Sequence, residues 1–270
     1  VLTTNMIFGG IGGGGTVIFS NNIVGGQTLT KEGPWTLALR GSNDFANPVV
    51  VNGGANGIIR MGNANALGAT NSIVVTNGGK LYTMVPFTNG NGNALRSVVV
   101  TGNGSLWTNT SRITIGSNAT VTVADSGKVV LWDGFNMNSY GTVPCGLLIT
   151  NGGQVAYSNT SSMYIYVGGA SSSNTMLITG AGSVFAGPGD GPPGGNNWMY
   201  IGAAGTVSNT LRIENGGVFT NARLYVNGTN TLVVSSGGKC YPTAMPVNGA
   251  GVGGIGARVS VLGGAGVASL

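Results

Sequence analysis

Leu211-Arg212-Ile213-Glu214-Asn215-Gly216-Gly217-Val218-Phe219 reads as a short alternating strand, a tight Asn-Gly-Gly corner and the start of a second strand. Versions of it recur as Ile73–Leu81, Val98–Leu106, Val121–Val129, Leu147–Val155, Met176–Val184 and Leu232–Cys240. The second corner glycine marks each copy: Gly79, Gly104, Gly127, Gly153, Gly182, Gly217 and Gly238, at successive spacings of 25, 23, 26, 29, 35 and 21 residues. A period in the twenties with strand chemistry in every unit is the signature of a stacked solenoid.

The sixth and fourth residues before each marker are apolar in every copy (Ile73 and Val75, Leu147 and Ile149, Leu211 and Ile213), whereas the fifth admits Thr122 and Arg212. Alternation of period two puts one set inside and the other outside. Two residues past the marker the chain is expected to point inward again, at Leu81, Leu106, Val129, Val155, Val184, Phe219 and Cys240. The next position, with Tyr82, Trp107, Phe185 and Tyr241, then forms an outward aromatic column, and Lys80, Lys128 and Lys239 share a solvated one. A third strand of the form apolar-x-apolar-Gly follows in most units, as in Ile165-Tyr166-Val167-Gly168 and Met199-Tyr200-Ile201-Gly202. The expected fold is all-β: a single three-sided parallel β-helix of about 8–10 coils with negligible helix. A meander barrel is the rival that Asn-Gly corners allow, but it leaves a repeat every three strands unexplained. Asn71, Asn174, Asn209 and Asn230 each lie eight residues before a marker and are expected to stack as an amide ladder along the axis.

Composition narrows the function classes. The chain has 270 residues with 52 Gly, no His and 17 charged side chains, 11 basic and 6 acidic. Eleven dispersed cations make no nucleic-acid stripe despite the net charge of +5. The glycine blocks within residues 1–24 interrupt any apolar run long enough to span a bilayer as a helix. The absence of an initial Met leads to the expectation of a removed leader and export. Cys145 and Cys240 fall three coils apart, roughly 14 Å at ~4.8 Å per stacked strand, too far for an internal disulfide.

The repeats over residues 49–241 resemble the right-handed parallel β-helix of bacterial surface proteins, most of all the β-strand repeats of autotransporter passenger regions and secreted adhesins. The aliphatic-x-aliphatic-Thr-Asn-Gly-Gly units and the Ile-Gly strands carry the resemblance. It implies a secreted or cell-surface location. No translocator barrel fits within this length and no Arg-Gly-Asp tripeptide occurs, so the attachment role is not transferred to particular residues.

Catalysis is not expected. The six acids, Glu32, Asp44, Asp125, Asp133, Asp190 and Glu214, show no pairing in the sequence, and zero His removes imidazole bases and most zinc ligand sets. No catalytic residue, metal site or cofactor is assigned. Gly187–Asn197, with three of the nine prolines, reads as a surface loop.

The ends carry the functional expectation. Residues 1–30 hold no charge, and Arg258 is the only charge in 240–270, although exposed strand edges are ordinarily protected by charge or proline. The chain therefore divides into an uncharged N-terminal contact arm (1–30), a solenoid body (31–241) and a C-terminal glycine-rich contact segment (242–270). Met6, Ile7, Phe8, Val17, Ile18 and Phe19 are expected to meet Val259, Val261, Leu262, Val267 and Leu270 of another copy. Such a head-to-tail contact gives an extracellular filament or sheath. The alternatives are a monomeric surface adhesin or glycan-binding solenoid and, third, a polysaccharide lyase or hydrolase; the expected partner is the chain itself, with glycans second.

Overall fold

Period-two alternation repeated once per coil leaves a chain little choice but to stack its strands in parallel, apolar side inward. The computed structural model describes residues 3–10, 12–45, 47–64, 66–67, 72–89, 96–137, 143–158, 163–169, 173–188, 197–203, 206–245, 247–248 and 258–262. Among them the first face is a sheet of eleven parallel strands running from Met6–Phe8 to Arg258–Leu262. The second face begins at Thr16–Phe19 and ends at Lys239–Ala244. The third runs from Phe87–Asn89 to Val247–Asn248, with a separate pair, Val24–Gly25 and Asp44–Phe45, in the first coils. Ten coils with strands on two or more faces are thus followed by one closing strand, and a single 3-10 turn at Gly54–Asn56 is the only helical element among the described residues.

The strand entering each corner has the expected register. Met176 pairs with Leu147 and Leu211, and Ile178 with Ile149 and Ile213, so like side chains stack coil on coil with no solvent exposure beyond 2%. Each such aliphatic side chain contributes about 1.5–3 kcal/mol by leaving water. The residues between them, Leu148, Leu177 and Arg212, face outward.

Past the corner, two coils depart from expectation. Leu81 pairs with Trp107, not Leu106, and Val155 with Phe185, not Val184. Trp107 and Phe185 are therefore buried core residues, while Leu106 and Val184 are turned outward and half-buried. The cause is one extra residue at these corners. Elsewhere the turn closes from Thr76 to Gly79 or from Thr150 to Gly153, but here it closes from Gly102 to Ser105 and from Gly180 to Ser183. Ser105 and Ser183, rather than Gly104 and Gly182, occupy the marker position, and their hydroxyls accept from Gly78 N and Gly152 N of the preceding coil at 3.1 Å. The aromatic column expected on the outside is consequently dispersed. Trp107 donates to Thr83 Oγ1 at 3.1 Å inside the core, Phe185 stacks on Phe219 with centroids 5.6 Å apart, and only Tyr82 and Tyr241 reach the surface.

The markers that remain glycine are dictated by space. A Cβ at Gly79, Gly127, Gly153, Gly217 or Gly238 would lie within 3.0 Å of the carbonyl oxygen of Val51, Val100, Val123, Ile178 or Ile213 in the coil before.

Candidate functional site

Three places in this scaffold hold the expected functional residues or replace them: the two tips, the Asn corner, and the outside of the third face.

At the N-terminal tip Met6–Phe8 and Thr16–Phe19 form the first coil, pairing with Leu29–Lys31 and Thr36–Leu39. The register makes Met6, Phe8, Val17 and Phe19 the inward set, and Phe8 packs edge-on against Phe19 at 5.3 Å. With one side of this coil lacking a neighbour among the described residues, Val17 stays 45% exposed; the outward Ile7 and Ile18 are 65% and 48% exposed. An open bowl of about 560 Å³ lies here between Phe8, Val17, Trp35 and the glycines Gly9, Gly10 and Gly12. At the other tip Val259 and Val261 take inward positions against Leu232 and Val234, yet Val261 is 42% and the outward Leu262 58% exposed. Val267 and Leu270 lie outside the described residues.

One coil below the first tip sits a feature the sequence reading passed over. Lys31 occupies an inward position between Phe8 and Val51 and is fully buried. Its ammonium donates to the carbonyls of Glu32 (2.6 Å) and Gly33 (2.8 Å) and lies 4.0 Å from the centre of the Trp35 ring. Burial pulls its pKa down to about 8, with the Glu32 carboxylate opposing the shift.

At the corner entering the first face, Asn174, Asn209 and Asn230 are buried and joined. Asn174 Nδ2 donates to Asn209 Oδ1 (2.8 Å) and Asn209 Nδ2 to Asn230 Oδ1 (2.9 Å), and each acceptor also takes the backbone N–H of the residue one coil earlier. Asn230 Nδ2 ends the row on Thr206 O at 3.1 Å. Cys145 heads it, with its N–H and thiol both 3.0 Å from Asn174 Oδ1. Burial pushes the thiol up to about 12, and both cysteines are free and buried. Asn71 lies outside the described residues. Room for the row comes from the glycine closing the third strand: a Cβ at Gly168 or Gly202 would strike the side chain of Asn209 or Asn230.

The acids are dispersed. Glu32 accepts from Asn52 Nδ2 on the first face, Asp125 sits at an outer corner bonded to Thr101 and Asn151, Asp133 caps Gly134 N, and Glu214 pairs with Arg212. Asp190 and the side chain of Asp44 lie outside the described residues. No group of three or more His, Cys, Asp or Glu gathers among those described.

The surface feature that sequence reasoning missed is on the third face. Outward between its buried aliphatics stand Tyr166, Tyr200 and Tyr225, on three successive coils. Their rings stack with centroids 5.2 and 5.1 Å apart. Beside them Trp198 lies 5.0 Å from Tyr225, and the exposed Arg223 guanidinium sits 5.8 Å from the Trp198 ring centre. The signal was available: the x of apolar-x-apolar in these coils is Tyr each time. Toward the N-terminus the same column continues as Asn136, Thr114 and Thr88, so the aromatic strip begins abruptly. Because the rings stack on one another they turn edges rather than faces to water, and the strip suits a hydroxyl-rich ligand through edge contacts and hydrogen bonds rather than by stacking on a ring face.

No protein-family profile matches the chain, and no curated protein is significantly similar to it in sequence. Among solved structures it is similar to the crystal structure of a TibC-catalysed, hyper-glycosylated TibA fragment, over 96% of this chain and 97% of that one. Identity is 16% and the TM-score 0.29, a likeness too distant to carry a functional inference. The architecture itself is a parallel β-solenoid.

Proposed function

We propose that this chain is a rigid β-solenoid of the cell-surface adhesive kind, exported, acting by contact rather than by catalysis, with the aromatic strip of the third face as its carbohydrate-contacting element. The observation that carries the reading is the run Tyr166, Tyr200 and Tyr225 with Trp198 and Arg223 beside it, large side chains held outward where the neighbouring coils of the same column have Asn and Thr. The rings repeat at 5.2 and 5.1 Å, so a ligand of regular repeat laid along the column meets each of them in the same way. The experiment is retention on immobilised polysaccharides and a glycan array, comparing the unaltered chain with Tyr200→Ala and Trp198→Ala. Binding that falls at least tenfold in both variants, with unchanged β-sheet circular dichroism, supports the reading; binding to no glycan, or binding indifferent to both changes, ends it.

A second reading, head-to-tail assembly into a filament, is favoured by the exposed apolar side chains at both tips. Each tip presents a strand edge to whatever coil lies beyond it; in this reading that coil belongs to another copy. Lys31, an inward charge one coil from the first tip, limits how dry such a junction becomes. Negative-stain microscopy decides it: fibres that vanish with Val17→Lys or Leu262→Lys support it, and uniform short rods in the unaltered chain reject it.

A further inference from the structure

The outside of the first face differs from everything around it. Its central outward column over six consecutive coils is Val50, Val74, Val99, Thr122, Leu148 and Leu177, and all six are half-buried. A hydroxyl column flanks it on one side, from Ser72 through Ser97 and Thr120 to Thr175. None of these outward positions carries a charge. Charges frame the strip instead: Glu32 in the coil on one side, and the Arg212–Glu214 pair on the other.

One dent interrupts the strip. Gly146 replaces a member of the hydroxyl column, and a hollow of about 310 Å³ opens between Thr120, Thr122, Leu148, Thr175 and Leu177. Nothing in the backbone asks for glycine there. Its Cβ would meet only Thr175 O at 3.8 Å and Thr120 Cγ2 at 3.9 Å, ordinary contacts, and it is absent from the positive-φ positions. Gly146 is the first residue of its strand, Gly146–Ile149, where glycine costs conformational freedom and packs nothing, so the hollow is what its presence supplies.

We propose that this face is a lateral self-association surface, occupied by the first face of a second copy, with the Gly146 hollow receiving a side chain from the facing sheet. Two features select a second copy. Small Val, Thr and Ser side chains on a regular pleat interdigitate best with an identical array, as in stacked sheets about 10 Å apart. An uncharged centre with charge confined to its borders is the anatomy of a protein interface, core and rim. The size sets the strength: six strands at ~4.8 Å and about five residues each at ~3.3 Å give roughly 480 Å² per copy, the small end of specific contacts, so the pairing is a reversible one. The aromatic strip is on the third face, and the tip strands Met6–Phe8 and Arg258–Leu262, though part of the same sheet, lie beyond the six coils of the strip.

Sedimentation equilibrium of the unaltered chain from micromolar to millimolar concentrations tests it. The expected result is a mass twice that of the monomer. Leu148→Lys, which puts a charge in the centre of the strip, and Gly146→Leu, which fills the hollow, should each return the monomer, with circular dichroism and thermal midpoint showing an intact solenoid. Tyr200→Ala and Leu262→Lys should leave the doubled mass unchanged. A chain that is monomeric throughout, or a dimer that survives both face variants, overturns the proposal. So does a dimer lost only with Leu262→Lys, because that outcome assigns the association to the tips.

Discussion

Asparagine stands at both ends of the first-face strands and does opposite work there. At the entrance, Asn174, Asn209 and Asn230 are buried, and their amides bridge coil to coil inside the protein. At the exit, Asn77, Asn151 and Asn215 are exposed and hold φ near +50°, followed each time by a glycine with φ of 75–80°. The entrance uses the side chain and the exit uses the backbone. The exit accordingly accepts Asp125 with Ser126, or Ser236, residues that also enter the left-handed region. At the entrance Asn174 has only Cys145 before it among the described residues, whose thiol and amide both lean on its oxygen.

The largest effect is expected where coils touch through bare backbone at the exit. Gly153→Ala sets a methyl carbon against Val123 O and should cost more than about 3 kcal/mol or prevent folding, as overpacking against backbone does. Next is Asn209→Ala at the entrance. It removes the acceptor that the buried N–H and Nδ2 of Asn174 share, Asn209 Oδ1, and should cost about 3 kcal/mol, the scale of one to two buried hydrogen-bonding groups disturbed. Urea midpoints measure both. Asn215→Ala, the matched change at the exit, loses only an exposed bond to Thr179 Oγ1 and some left-handed preference; about 1 kcal/mol is expected. Equal losses for Asn209→Ala and Asn215→Ala would mean that the two corners do not differ in the way their burial indicates.

The entrance row also makes a pH prediction that the exit does not share. Burial raises the Cys145 thiol from 9.0 to about 12, so the folded state holds its proton where the unfolded chain has released it. That contribution is complete below pH 9 and is lost as pH rises through 12. Cys240, raised to about 12 by burial, acts in the same direction, whereas Lys31, lowered to about 8, adds stability as pH rises from 8 toward 10.5. Under reducing conditions the urea midpoint should therefore fall between pH 9 and 12, less steeply in Cys145→Ala, and with the unaltered slope in Asn151→Ala.

The fold was legible because each repeat states its inside and outside twice before the corner, at Leu147 and Ile149 or Leu211 and Ile213, and stacking cannot alter that alternation. What failed to read was the step after two corners. Thr101-Gly102-Asn103-Gly104-Ser105 and Thr76-Asn77-Gly78-Gly79 look alike by their glycines, yet the first carries one more residue, and a shift of one turns every following side chain over. Trp107 and Phe185 changed sides for that reason, and the aromatic surface went unrecognised on the third face, where Tyr166, Tyr200 and Tyr225 are separated by insertions of different length. Lys31 escaped because the repeat register is readable only from residue 49 onward, so no inward position was assigned to it. The tip residues were placed on the end strands, but what lies beyond those strands leaves no mark in a single repeat.

The smallest effect completes the contrast between the corners and the strand. Gly153 is held to glycine by the carbonyl above it, but Gly146, seven residues earlier, has space for a methyl group and an ordinary strand backbone. Gly146→Ala removes conformational freedom from the unfolded chain without straining the folded one, and should stabilise by about 0.5 kcal/mol. Thermal denaturation of dilute protein, where lateral pairing contributes least, is the measurement. A rise in midpoint beside the collapse of Gly153→Ala would show that the two glycines answer to different demands, one to the packing of coils and the other to the surface they present. A fall in midpoint would instead place Gly146 among the glycines the fold itself requires, and the hollow beside Leu148 would then be a by-product of the strand.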